Sequence, residues 1–137
     1  MTFRHSTPTH ALPESVWAVW TDVANWPQWD MELVYASLTG PCERGTRGRL
    51  KPRGAPASSF VLSEVTPGQS YTFTTALPLG ELHVRRYLTQ GETLTFTHEV
   101  DFTGPSAPVF RALLDARYRK ALPDAMQKLR ALAEATP

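Results

Sequence analysis

Glu81-Leu-His-Val-Arg-Arg-Tyr-Leu88 and, across a loop containing Gly91, Thr93-Leu-Thr-Phe-Thr-His-Glu-Val-Asp-Phe102 read as the two arms of an antiparallel hairpin. In the second arm Leu94, Phe96, His98, Val100 and Phe102 alternate with Thr95, Thr97, Glu99 and Asp101. Side chains in a strand point alternately to the two faces, so the first set forms the buried face and takes His98 inside. In the first arm Leu82, Val84 and Leu88 are the apolar set, and Arg86 falls among them. Bringing both sets to one face predicts Leu88 opposite Leu94 across an odd-length loop. Val84 then faces His98, and Arg86 faces Phe96 with His98 on its diagonal, about 7–8 Å away. A slip by one residue would bring His83 opposite His98 and turn Arg86 outward. It would also turn Leu82, Val84 and Leu88 away from the core, so a His83–His98 metal pair is disfavoured. His98 and Glu99 point to opposite faces, and His5 and His10 have no ligand-like spacing, so no metal site is expected.

Moving outward, the same texture recurs. Glu32–Leu38, Gly45–Lys51, Ser59–Val65 and Tyr71–Ala76 are short runs rich in Val, Thr, Tyr and Phe. Gly40-Pro41, Gly54 with Pro56, Pro67-Gly68 and Pro78 with Gly80 separate them, as an antiparallel meander requires. Thr2–Thr9 reads as a further strand. Pro13 stands at the first position of a helix whose apolar stripe is Val16, Val19, Trp20 and Val23, widened by Trp17. Pro27 ends it before Asn25. After Phe102, Ser106 is placed as an N-cap, and a helix runs to about Ala133 with a bend expected from Pro123 near Arg119 to Leu122. The expected fold is therefore α+β: about seven curved antiparallel strands wrapped around a long C-terminal helix, with short helices after the first strand. Residues 1–137 read as one domain, with no repeat or linker.

The bulk properties narrow the function classes. Fourteen Lys and Arg against thirteen Asp and Glu give a net charge of +1, which argues against broad nucleic-acid binding. The basic series Arg44, Arg47, Arg49, Lys51 and Arg53 reads as a solvated edge strand. A single cysteine, Cys42, excludes an internal disulfide and a cysteine-rich zinc site. No run approaches the roughly 20 apolar residues of a membrane span, and the first twenty residues carry no apolar leader segment. The expectation is a cytoplasmic protein, and a homodimer through an edge strand or the helix is compatible with the pattern. Phosphate-binding, dinucleotide and nucleophile-elbow motifs are absent.

Ala11-Leu-Pro-Glu-Ser-Val-Trp17, Asp22-Val-Ala-Asn-Trp26-Pro-Gln-Trp29, Leu38-Thr-Gly40 with Gly45-Thr46, Val65-Thr-Pro67 and the long last helix carry a family likeness. The chain resembles the START-like, helix-grip (SRPBCC) superfamily and, within it, the polyketide cyclase/dehydratase-like proteins. The resemblance covers nearly the whole chain. It implies a cavity under the last helix that holds an apolar small molecule or lipid, and it transfers no catalytic residue.

An inward Arg and an inward His among apolar residues are costly unless paired or solvated. Arg86 and His98 are read as holding the anionic or carbonyl end of an apolar ligand. The plainer alternatives are that Arg86 pairs with Glu64 or reaches the rim, and that His98 bonds a backbone group. Tyr71, Phe73, Val84 and Phe96 on the sheet, with Phe110, Leu114, Arg117 and Tyr118 on the helix, complete the expected ligand-binding set. Trp26 and Trp29 are read as plugging one end of the sheet. The leading function is binding of a lipid-like or polyketide-like molecule. The alternative is a cofactor-free cyclase or dehydratase with His98 as acid/base and Arg86 or Tyr118 polarising a carbonyl. A co-chaperone-like interaction module is the third.

Overall fold

The structure, a computed structural model, describes residues 2–135; positions 1, 136 and 137 of the expected domain lie outside the described residues. Seven strands form one antiparallel sheet: β1 (Thr2–Thr9), β2 (Leu33–Leu38), β3 (Arg47–Pro52), β4 (Ser58–Thr66), β5 (Ser70–Leu77), β6 (Gly80–Gln90) and β7 (Leu94–Thr103). Their order is β1-β7-β6-β5-β4-β3-β2. Six strands follow the chain as a meander, and β1 returns to the far side to pair with β7. The link from β1 to β2 carries helix α1 (Pro13–Thr21) and a 3-10 turn, Val23–Gln28, across the open side of the sheet. Helix α2 (Ala107–Ala135) follows β7 and continues through Pro123. This is the helix-grip α+β arrangement.

The register inverts nothing in the face assignment but corrects the pairing. Leu88 pairs with Phe96, and Gln90 with Leu94, so the loop is three residues long instead of five. Arg86 consequently sits directly opposite His98, not on its diagonal, and Val84 opposite Val100. Period-2 alternation fixes the face, and a shift by two residues leaves it unchanged. A second correction concerns the basic strand: β3 pairs with both β2 and β4 and is not an edge. Arg47 and Arg49 nonetheless point outward and are exposed, while Gly48 and Leu50 are buried. Gly48 is needed there, because a Cβ would meet the Phe60 ring at 2.3 Å and the Ser37 carbonyl at 2.5 Å.

The core is unusually aromatic. Trp20, Trp26, Trp29, Tyr71, Phe96 and Phe102 are fully buried, and the Trp26 ring stacks on Phe60 and Tyr71 at 5.9 and 6.4 Å. Trp26 and Trp29 lie in the segment between α1 and β2, where Pro27 sets a tight backbone. Helix α2 rests on β1, β7 and α1, with Met126, Leu129 and Ala133 buried. The Ser106 carbonyl accepts from the Val109 and Phe110 N–H groups at the start of α2. Its hydroxyl is enclosed without a partner, so the expected cap is present in position and not in bonding.

Candidate functional site

The registers place one polar row across the concave face. His5 on β1 pairs with His98 on β7, His98 with Arg86 on β6, and Arg86 with Tyr71 on β5. The neighbouring row, Phe3, Val100, Val84, Phe73 and Leu62, is apolar throughout. The polar groups are therefore concentrated at one level of the fold.

Arg86 is 4% exposed and His98 2% exposed. The Arg86 Nη1 donates to the Tyr71 hydroxyl at 2.6 Å, and Tyr71 donates onward to the Trp20 carbonyl at 3.3 Å. That carbonyl also accepts from Trp26 Nε1 at 2.8 Å. It belongs to the last turn of α1, where carbonyls lack helical donors, so two side chains satisfy it. The Trp20 indole N–H donates to His98 Nε2 at 3.1 Å. This bond assigns the His98 proton to Nδ1. Burial first, then the Arg86 charge, holds the His98 pKa well below its ordinary value. His98 is thus a neutral imidazole whose basic nitrogen is already engaged. Burial likewise raises Tyr71 to about 12, so it stays a neutral phenol.

The Arg86 guanidinium lies 4.6 Å from the Trp26 ring, 4.8 Å from Trp29, 5.6 Å from Tyr71 and 5.3 Å from Phe73. These faces offset part of its desolvation. Among the described residues no carboxylate lies within ion-pair distance of it. Glu64, the partner weighed from sequence, instead accepts from Thr66, Ser70 and Thr72. Two enclosed donors at this place, Arg86 Nε and Trp29 Nε1, have no partner. Buried polar atoms without a partner are uncommon in a folded protein, and these two are donors left free to take an acceptor.

Tyr71, Phe73, Val84 and Phe96 belong to one buried cluster, and Arg86 and His98 are buried on the same sheet face. Among the helix members Phe110, Leu114 and Tyr118 are half-buried and pack against the same core, and Arg117 is exposed. Phe110 stacks on Phe102 at 6.1 Å, and Tyr118 on Phe3 at 5.5 Å. Arg117 does not face the interior. Its Nε donates to the Glu32 carboxylate at 3.0 Å and its Nη2 to the Arg53 carbonyl. Sequence reasoning missed Trp29 as a donor, and it missed Asp30, which follows it. Burial raises the Asp30 pKa, the Arg86 charge opposing. The one available signal was an acid directly after a Trp-Pro-x-Trp run.

Two grooves flank α2. One, of about 260 Å³, lies between β1 and α2 along Phe3, His5, Tyr118 and Leu122. The other, of about 200 Å³, lies between α2 and residues 30–32. Asp30 lines the second. Among the described residues no His, Cys, Asp and Glu group could hold a metal, and no helix is long and apolar enough to cross a membrane.

Comparisons with known proteins agree with the fold. Residues 1–134 match the model of a family described as polyketide cyclase / dehydrase and lipid transport. No curated protein matches the chain. Among solved structures, protein CV1439 from Chromobacterium violaceum is 16% identical with a TM-score of 0.67, covering 97% of this chain and 96% of that one. The di-domain ARO/CYC BexL from the BE-7585A biosynthetic pathway is also 16% identical, with a TM-score of 0.76, over 100% of this chain and 51% of its own. This chain thus spans about half the length of BexL. The structure named Ara h 8.0201 is 9% identical with a TM-score of 0.75, over 99% of both chains. Likeness at these identities speaks for the fold, and the family match supports a ligand-binding or cyclase role.

Proposed function

Because the chain belongs to the polyketide cyclase / dehydrase and lipid transport family, we propose that it binds a small apolar, lipid-like or polyketide-like molecule between the sheet and α2. The ligand's anionic or carbonyl end docks on Arg86. The observation that carries this reading is the Arg86 guanidinium itself: 4% exposed, with no carboxylate within ion-pair distance among the described residues and its Nε unpaired. A buried charge with no ion-pair contact is among the least favourable features a core can hold. A ligand oxygen would accept from the guanidinium, which presents its donors in a fixed fork suited to that acceptor. The rings of Trp26, Trp29 and Phe73 supply the apolar walls, and they or the first half of α2 must shift to admit a ligand.

Binding is favoured over catalysis by the state of His98. Its Nε2 lone pair is occupied by the Trp20 indole, so it offers a donor and not a base until that bond breaks. The cyclase reading requires that rearrangement, with Arg86 or Tyr118 polarising a carbonyl. Native mass spectrometry of freshly purified protein, set against its denatured mass, tests the binding reading. An added mass that leaves on denaturation and is missing from the Arg86→Met variant supports it. An added mass of equal occupancy in that variant overturns the assignment of Arg86. Turnover of a bound polyketide-like compound by wild type, lost in His98→Gln while binding persists, would establish the enzyme reading instead.

A further inference from the structure

Most of the protein's arginines are already engaged. Arg4 and Arg85 hold Glu99, Arg111 holds Asp101, Arg117 holds Glu32, Arg119 holds Asp115 and Arg130 holds Glu134. Arg86 bonds Tyr71 in the interior, and Arg53 Nε donates to the Met31 carbonyl at 2.6 Å. Arg44, Arg47 and Arg49 remain. All three are exposed, and among the described residues none of them meets a carboxylate. Arg49 reaches only the Ser59 hydroxyl, at 3.3 Å. Arg47 and Arg49 stand two residues apart on the outward face of β3, a spacing of about 7 Å. Arg44 lies in the turn that leads into that strand. Val61 is opposite Arg47, and Ser37 and Ser59 are opposite Arg49, so the neighbouring strands offer no acid. Glu43, in the same turn as Arg44, is exposed and pairs with none of the three. Cations on a strand commonly protect a sheet edge, but β3 lies inside the sheet, so edge protection does not explain them. The lysines add no comparable patch. Lys51 donates to the Pro52 and Ala55 carbonyls, and Lys120 and Lys128 stand one turn on either side of Asp124.

We propose that the outward face of β3 docks an acidic segment of a partner protein, extended and with carboxylates on alternate residues. An extended chain also repeats its side chains on one face every 7 Å or so, about the Arg47–Arg49 spacing. Successive carboxylates then meet successive guanidinium forks in two-pronged contacts. Ser37 and Ser59 flank Arg49 and offer hydroxyls to the segment's polar groups. Arg44 extends the positive field toward the β2–β3 turn. A second copy docked face to face would set this positive patch against itself, so self-association does not fit. Neither groove includes these residues, so a small anion would find no walls here. Three cations on a chain of net charge +1 are too few for general nucleic-acid binding. The proposal stands on this face alone and needs no ligand at Arg86.

Fluorescence anisotropy of a labelled peptide of alternating Glu and Thr, titrated with the full chain at low ionic strength, tests it. The expected result is saturable binding that weakens as salt is added, because exposed charges are screened. The same peptide with Gln in place of Glu should not bind. The Arg47→Gln/Arg49→Gln double variant removes only exposed charges and should keep the wild-type melting temperature. It should weaken the Glu peptide about fivefold or more, the effect of losing two exposed charge pairs. Lys120→Gln/Lys128→Gln lowers the net charge by the same amount and should bind as wild type does. Amide chemical shifts should move at residues 35–37, 44–51 and 59–61. The proposal is overturned if wild type does not bind, if the Gln peptide binds equally, or if the shifts fall elsewhere. It is also overturned if both double variants lose the same affinity, since net charge alone would then account for binding. A DNA duplex that binds more tightly than the peptide, through the same two arginines, would replace the protein segment by nucleic acid.

Discussion

Arg86 sets function against stability. Its charge is buried with no carboxylate in ion-pair contact among the described residues, and replacing such a group by an apolar side chain of similar length is often neutral or stabilising. Arg86→Met is therefore expected to melt at or above the wild-type temperature while losing ligand capture, which thermal denaturation and native mass spectrometry together would show. Tyr71 keeps the Trp20 carbonyl as acceptor in that variant. His98 gives a pH signature. Its folded pKa lies below the ordinary 6.5, so above that value both states are neutral and pH has no leverage through it. Below it the unfolded chain takes up a proton that the folded protein refuses. Stability then falls by up to about 1.4 kcal/mol per pH unit until the folded pKa is reached. His98→Gln can still accept from the Trp20 indole, and denaturant titrations between pH 4 and 7 should show a shallower loss. At this scale the sequence disclosed the inward faces of Arg86 and His98, because alternation is a local property. It did not disclose that Tyr71 and Trp20 would be their partners, since those contacts depend on how α1 crosses the sheet.

The elements were legible wherever punctuation was strong. Pro13, Pro67-Gly68 and the Pro78–Gly80 turn set boundaries within a residue or two of those observed. The β6–β7 register was not, because Leu94 and Phe96 serve equally well as partners of Leu88 on the same face. Turn geometry decides between them, and Gly91-Glu-Thr93 carries no signal that selects three residues over five. The Pro78-Leu79 turn is a further departure from local rules. Leu79 has a φ of 55° and is 78% exposed. A left-handed conformation costs a side chain such as leucine roughly 1–2 kcal/mol, and asparagine less. Leu79→Asn should raise stability by about 0.5–1 kcal/mol, readable as a higher denaturation midpoint with unchanged slope. Gly48→Ala should do the reverse. Its Cβ would press on the Ser37 carbonyl, which cannot move without unpairing β2 from β3. A loss of about 1–3 kcal/mol follows from such overpacking, and the same denaturation series measures it.

For the molecule as a whole, the helix grip is lopsided. The last turns of α2 are anchored by buried Met126, Leu129 and Ala133. On the side of β2 and β3 the first half is held by Arg117, through Glu32 and the Arg53 carbonyl. Exposed pairs contribute at most about 1 kcal/mol, so this tie is weak enough to open. Glu32→Gln should accelerate amide hydrogen exchange over residues 113–121 by up to about fivefold. Exchange at Leu129 and Ala133 should not change. An equal acceleration at both places would mean global destabilisation and not a loosened clasp.

The pairing of β1 with β7 has a consequence for how the chain comes into being. Among the seven strands described β1 is made before the others, and its partner β7 after them. The Thr9 hydroxyl must also wait for Glu134, 125 residues later, to accept its proton. Until then Phe3, Thr7 and Thr9 have neither neighbour nor cover. Contacts of such sequence separation slow folding and leave strand edges open in the meantime. A nascent chain stalled before β7 would hold β1 unpaired, so the finished grip can form only after β7 and α2 have been made.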